Sequence, residues 1–166
     1  VIALSDARQR SGVRLEEFET EIERCRPFRG VRRVDRALEL SSALSESPLE
    51  SLLLVRCGDL GFALPEQQRV VLLDGGRTAR VDFAWGDGEI LLEADGRAKY
   101  LDADLRGGRS AEAVVVDEKL REDDLRERCR VFVRAGWADA WSGTALERKL
   151  VRAGVPRPGR RGPLTF

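Results

Sequence analysis

The chain has 166 residues, 42% of them hydrophobic and 35% charged, with 29 basic against 29 acidic side chains and no histidine. That length fits one domain, or one domain with appendages, and the apolar fraction suffices for a core. The missing histidine excludes Ser-His-Asp and Cys-His catalysis, histidine-ligated zinc and histidine general bases, and the zero net charge does not advertise a nucleic-acid binder.

The charges are unevenly spread. Residues 82–124 carry thirteen Asp/Glu against six Lys/Arg, residues 24–36 six Arg against one Asp, and residues 147–161 six Lys/Arg against one Glu. An acidic centre between basic segments fits metal-assisted chemistry on a polyanion. It also fits solvated helices of mixed charge. Cys25, Cys57 and Cys129 are odd in number and form no C-x-x-C, which reads as reduced thiols of a cytosolic protein, core or half-buried. No run approaches the roughly 18 apolar residues of a membrane span, and no signal peptide is visible. The chain starts at Val1 and lacks methionine, which reads as a piece of a longer protein.

In chain order, residues 1–24 predict one or two helices, the first capped by Ser5-Asp6 and the second ended by Arg26-Pro27. Val31 to about Ser45 predicts the next helix, with Val34, Ala37 and Leu38 on one face. Ser47-Pro48-Leu49-Glu50 is a capping box with proline at the first helical position. It opens a helix to about Asp59. Glu50 reads equally as the carboxylate of that box and as an acid aimed at the hairpin beyond. Gln68–Asp74 predicts a strand, Asp74-Gly75-Gly76 a turn, and Thr78–Trp85 and Glu89–Asp95 two further strands of a meander. Residues 97–110 predict a loop or broken helix. Ala111–Arg128 predicts a helix with Ala113, Val116 and Leu120 on its apolar face. Cys129–Arg134 predicts a short strand and Trp137–Ala153 a last helix. Residues 154–166, rich in Pro, Gly and Arg, predict a disordered basic tail. The three tryptophans read as core or helix-packing residues rather than stacking platforms for bases.

The hairpin carries the chemistry. Asp87-Gly88 between apolar runs is a strong turn signal, because both central positions need positive φ. The register then pairs Trp85 with Ile90, Ala84 with Leu91, Phe83 with Leu92 and Asp82 with Glu93. Two carboxylates face each other, which destabilises a strand pair, and Asp95 follows on the same face. A hard divalent cation would offset the repulsion. A solvated face, with Arg80 opposite Asp95, is the ordinary alternative. A turn one residue longer would put Asp82 and Glu93 on opposite faces.

These motifs, in this order, resemble the PD-(D/E)XK nuclease superfamily. More closely, they resemble the very-short-patch-repair-like endonuclease domains of actinobacterial proteins labelled as abortive-infection antitoxins. The resemblance runs from about Ser45 to Trp141 and rests on four segments, Ser47–Ser51, Val81–Trp85, Glu93–Tyr100 and Glu118–Asp123. It implies a restriction-endonuclease-like α/β fold, with a mixed central sheet of an antiparallel three-strand meander and a further strand, flanked by helices. It divides the chain into a helical linker over 1–44, which follows a winged helix absent from this sequence, a nuclease-like domain over 45–153 and the tail over 154–166.

The resemblance implies that Asp82 ligates Mg2+ or Mn2+, that Glu93 is the acid of the E-x-K element and a second ligand, and that Glu50 is the helix acid completing the site. The lysine expected two residues after Glu93 is Asp95, which leaves Lys99 or Lys119 to take the basic role. Arg97, Lys99 and Arg121 are candidates for phosphate contacts, ion pairing with neighbouring acids being the alternative for Arg121. The implied function is metal-dependent hydrolysis of phosphodiester bonds in DNA. The rival reading is a non-catalytic nuclease-like module of an antitoxin or transcriptional regulator that binds DNA or a protein partner.

Overall fold

The structure is a computed structural model that describes residues 1–96 and 111–158, with side chains of the second stretch from residue 116. The chain divides into two units, Val1–Leu64 with Pro156–Phe166, and Pro65–Val155. The first unit holds the helix opened at Ser47 together with the helices before it.

The first unit holds four helices, α1 (Ile2–Ser11), α2 (Leu15–Cys25), α3 (Val31–Glu39) and α4 (Pro48–Asp59). Ser5 caps nothing; it lies inside α1, fully buried, and its hydroxyl accepts the Ser42 backbone N–H at 3.1 Å. Arg8, on the same helix, donates to the Ser41 hydroxyl at 2.9 Å. These contacts tie the segment after α3 to α1, and α3 stops at Glu39 instead of running on to Ser45. Ser47 caps α4 as the sequence predicts, its hydroxyl accepting the Glu50 N–H, but the Glu50 carboxylate returns to the Glu46 N–H and the Ser47 hydroxyl rather than to the Ser47 N–H of a full capping box. At the far end of the chain, Pro156 accepts the Ala63 N–H at 2.8 Å and Arg157 lies over the Phe62 ring. The first residues of the segment read as a disordered tail are therefore packed.

The second unit is α/β. Its sheet runs β1 (Glu66–Leu72), β2 (Thr78–Trp85), β3 (Ile90–Ala94) and β4 (Val131–Ala135) in that spatial order. The first three strands form an antiparallel meander, and β4 adds in parallel to β3. The connection from β3 to β4 includes α5 (Ala111–Arg128), as a parallel crossover requires. After β4 come α6 (Trp137–Ser142) and α7 (Thr144–Ala153). The sequence predicts these as one helix. They are two because Gly143 takes φ 63°, ψ −48°, outside the helical region, a conformation glycine adopts without a Cβ clash.

The hairpin register is as read. Phe83 pairs with Leu92, Ala84 with Leu91 and Trp85 with Ile90. The loop is a type I′ turn, with φ 56° at Asp87, φ 91° at Gly88 and the Glu89 N–H donating to the Gly86 carbonyl at 3.2 Å. That turn matches the twist of the flanking strands. Arg69 of β1 bonds both Asp87 and Glu66, bracing the turn from the neighbouring strand. Strand boundaries move by one or two residues from those expected, within ordinary end fraying.

Leu125 of α5 is fully buried and sits in a cluster with Leu73, Ala79, Val81, Ala84 and Leu91, against which Val71, Cys129 and Phe132 pack. Val116 and Leu120, predicted as the inward face of α5, are 55% and 57% exposed. Trp85 is buried, but Trp137 and Trp141 are exposed at 46% and 73%, which corrects their reading as packing residues. Among the described residues no helix is long and apolar enough to cross a membrane.

Cys57 is buried and Cys129 half-buried, but Cys25 is exposed, against the expectation of burial. Burial pushes the Cys57 thiol up to about 12. Only the thiolate attacks a disulfide reagent, so at pH 8 Cys25 is expected to label within minutes and Cys57 to stay unlabelled until denaturant is added, as mass spectrometry of the modified chain would report. Gly88→Ala is expected to lower stability by about 1–2 kcal/mol in urea denaturation, from the positive φ alone; an unchanged midpoint would contradict the type I′ geometry.

Candidate functional site

The site lies where β3 leaves β2. Pairing between these strands extends to Phe83 and Leu92. Beyond that point β3 continues beside β4, with Glu93 opposite Arg134 and Ala94 opposite Ala135. The Asp95 N–H prolongs this parallel pairing by donating to the Ala135 carbonyl at 2.9 Å. Gly136 makes room for the crossing: a Cβ there would stand 3.3 Å from the Asp95 carbonyl.

Asp82 accepts the backbone N–H of Ala94 through Oδ2 at 2.7 Å. The side chain of Asp82 thus takes up a donor at the point where the two strands part. Glu93, on the next strand, is 8% exposed. A buried carboxylate needs charged or hydrogen-bonding partners, and two guanidiniums supply them. Arg121 of α5 donates to Glu93 Oε1 at 2.7 Å and to the Arg80 carbonyl at 2.6 Å. Arg134 of β4 stands 3.9 Å from Glu93 Oε2. It is held by Glu118 at 2.9 Å and Glu122 at 3.3 Å, both on α5.

Each of these side chains is positioned by its own element. Residues 118, 121, 122 and 125 share one helical face by their spacing. Leu125 presses the lower part of that face into the core, and the upper part presents Glu118, Arg121 and Glu122 to the strands. Two further ion pairs fix α5, Arg77 to Asp124 at 2.7 Å and Arg128 to Asp74. Arg126 adds a cation–π contact to Phe132, 4.9 Å from the ring centre. On the other side of Arg134, Lys149 of α7 donates to the Arg134 carbonyl and to Asp139, each at 2.8 Å. Asp139 in turn accepts the Gly136 N–H at 2.9 Å. The end of β4 is therefore anchored through α6 and α7.

Burial raises the Glu93 pKa above its ordinary value, and the Asp82 charge adds to the rise. Arg121 and Arg134 pull in the opposite direction without cancelling it.

The site residues read from the sequence fall into three groups. Asp82 and Glu93 come together, Asp95 follows them on the chain, and Arg121 joins them from α5. Lys119 is exposed and lies two residues from Arg121, so it projects from a different side of the helix. Arg97 and Lys99 lie outside the described residues. Glu50 belongs to the other unit and is engaged there. Ser47 donates its hydroxyl to Glu50 Oε1 at 2.7 Å, and the Glu46 N–H donates to Oε2 at 2.8 Å. Arg134, Glu118 and Glu122 were missed as members. Their signal was present only as alternation in β4 and helical spacing in α5, which register alone could join to Glu93.

Asp82 and Glu93 are the side chains here that could ligate a hard cation. Asp82 and Glu93 offer carboxylate oxygens on adjacent strands, and magnesium commonly takes one or two carboxylates plus waters and phosphate oxygens. A guanidinium already sits against Glu93, so this carboxylate accommodates positive charge. Among the described residues no group of three or more His, Cys, Asp or Glu side chains is placed to hold a metal ion. The chain matches no family model, no curated protein and no solved structure.

Ionised Glu93 is less favourable in the folded chain than in the unfolded one, because its folded pKa is raised. Its stabilising contribution is therefore full below the ordinary value of 4.5 and is lost as pH rises through the folded pKa. The melting temperature of the wild type relative to Glu93→Gln is expected to fall as pH is raised from 4.5 upward. A difference that grows with pH would mean that the guanidiniums outweigh burial.

Proposed function

We propose that this chain is a metal-dependent endonuclease-like domain that hydrolyses phosphodiester bonds in DNA and works in the cytoplasm. One observation carries the reading: Asp82 and Glu93 lie together at the point where β3 leaves β2, under a helix that presents arginine. The order of α4, three antiparallel strands, α5 and a parallel β4 supports it, since it is the order the PD-(D/E)XK resemblance implies. The reading keeps Lys99 or Lys119 as the basic group that Asp95 is not, and leaves Glu50 to its bonds within the first unit.

Hydrolysis here adds a water oxygen to phosphorus and breaks one P–O bond, leaving a phosphomonoester and a hydroxyl. A bound divalent cation supplies a water of lowered pKa and neutralises charge on the phosphate. The work of the chain is to hold that charge in place. Asp82 is fixed by its bond to the Ala94 N–H, and Glu93 is buried on the neighbouring strand. Arg121 and, from outside the described residues, Arg97 and Lys99 are suited to phosphate oxygens, which position a strand without reading its sequence.

A second reading, a non-catalytic nuclease-like module of a regulator or antitoxin, is favoured by a different observation. Glu93 is already satisfied by arginine, and the lysine position is aspartate. Cleavage of supercoiled plasmid, mismatched duplex and single strands in Mg2+ or Mn2+ separates the two. The enzyme reading expects cleavage that EDTA stops, and that Asp82→Asn and Glu93→Gln each reduce at least 100-fold while remaining folded. Salt-dependent DNA binding without cleavage in any metal would favour the module.

A further inference from the structure

We propose that Arg121 is an internal counter-ion that a divalent cation must displace from Glu93, and that the freed guanidinium then serves the substrate phosphate. The proposal rests on the metal-site reading of Asp82 and Glu93.

Three observations carry it. First, both oxygens of Glu93 face guanidinium nitrogens, at 2.7 Å from Arg121 and 3.9 Å from Arg134. A cation reaching Glu93 must therefore push one aside. Second, the two arginines are not equally held. Arg134 has Glu118 at 2.9 Å and Glu122 at 3.3 Å to keep it in place. Among the described residues, Arg121 pairs with Glu93 itself and with one backbone carbonyl. Third, the Arg121 side chain is 37% exposed against 11% for Glu93, so the arginine has an outward path and the carboxylate does not. Arg121 is the member that yields.

The exchange keeps Glu93 neutralised in both states, so no buried charge is left bare at any stage. It also delivers a planar, permanently charged, forked donor to the edge of the site, the group best matched to phosphate oxygens. Arg121 thereby supplies the positive charge that Asp95, in the position where the resemblance expects lysine, does not. Binding of the cation and pairing of Arg121 with Glu93 oppose one another, and that opposition is a coupling that must be reciprocal.

The test is calorimetric titration of Mg2+ and of Mn2+ into the whole chain, comparing wild type, Arg121→Gln, Arg152→Gln and the Asp82→Ala/Glu93→Ala double variant. Arg152→Gln, at an exposed position in the last turn of α7, removes the same charge without breaking an ion pair to α5 among the described residues. Arg121→Gln is expected to bind the metal at least tenfold more tightly than wild type. The gain should persist at high salt, where through-space effects on exposed charges are screened. Arg152→Gln should match wild type, and the double variant should not bind. In parallel, the side-chain N–H signal of Arg121 in 15N-arginine protein should shift on metal saturation while that of Arg134 stays, a readout that needs no destabilised variant beyond the one used for assignment. Wild-type binding that Arg121→Gln leaves unchanged or weakens, with a stationary Arg121 signal, overturns the counter-ion and spares the metal site. Absence of binding by wild type and Arg121→Gln alike overturns both.

Discussion

A carboxylate buried on β3 governs the arrangement of the second unit. Glu93 is 8% exposed, and a buried charge requires partners of opposite sign. Those partners come from two elements that follow it in the chain, Arg121 on α5 and Arg134 on β4. Their presence dictates the rest. Arg134 needs Glu118 and Glu122, so α5 turns a charged face inward at this level. Arg121 needs the end of α5 to be fixed, and Leu125, Arg77 and Arg128 fix it. The crossover helix is thus apolar where it covers the centre of the sheet and charged where it covers the point at which β2 and β3 separate.

That division explains where the sequence was legible. The hairpin was readable because its determinants are local. Asp87-Gly88 sets the turn type, and alternation then fixes every pair from Trp85 and Ile90 outward, which places Asp82 beside Glu93. The Ser47 cap of α4 was readable for the same reason, and the Glu50 oxygens close on it through the Ser47 hydroxyl and the Glu46 N–H. The α5 helix was located to the residue, but its face was misjudged. Periodicity assigns the inward side to the apolar residues, here Val116 and Leu120. The true inward side at that level holds Glu118, Arg121 and Glu122, whose partners lie on strands far away in sequence. A helix whose apolar stripe is exposed and whose charged stripe is covered violates the binary pattern, and such violations concentrate at functional sites.

Other misses have plainer causes. Gly143 splits the last helix because a single backbone conformation overrides the helix formers on either side, and the Ser142-Gly143 dipeptide is the local turn signal for it. Ser5 reads as a cap by residue type, yet its hydroxyl is used in a tertiary contact with the segment after α3. Trp137 and Trp141 read as buried by size and are exposed because α6 is a short helix whose inward residue is Ala140. Each is a case of tertiary context outweighing a local preference.

The energetics of Glu93 bear on whether its pairing is merely structural. Replacing a buried ion pair by apolar residues of similar volume is often neutral or stabilising, and β3 is otherwise a run of leucine and isoleucine where such a replacement would fit. The chain instead keeps a carboxylate whose ionisation opposes folding, since burial outweighs both arginines in setting its pKa. It places a second carboxylate beside it, which raises the cost further. Asp82 repels Glu93, while it also takes up the Ala94 N–H where the β2–β3 pairing ends. A site meant to receive a cation gains from both acids, since two carboxylates at a strand junction attract charge that one, already matched by arginine, does not. Under the proposed metal-site reading, the cost to folding and the gain in cation binding fall on the same two side chains, a trade between stability and activity.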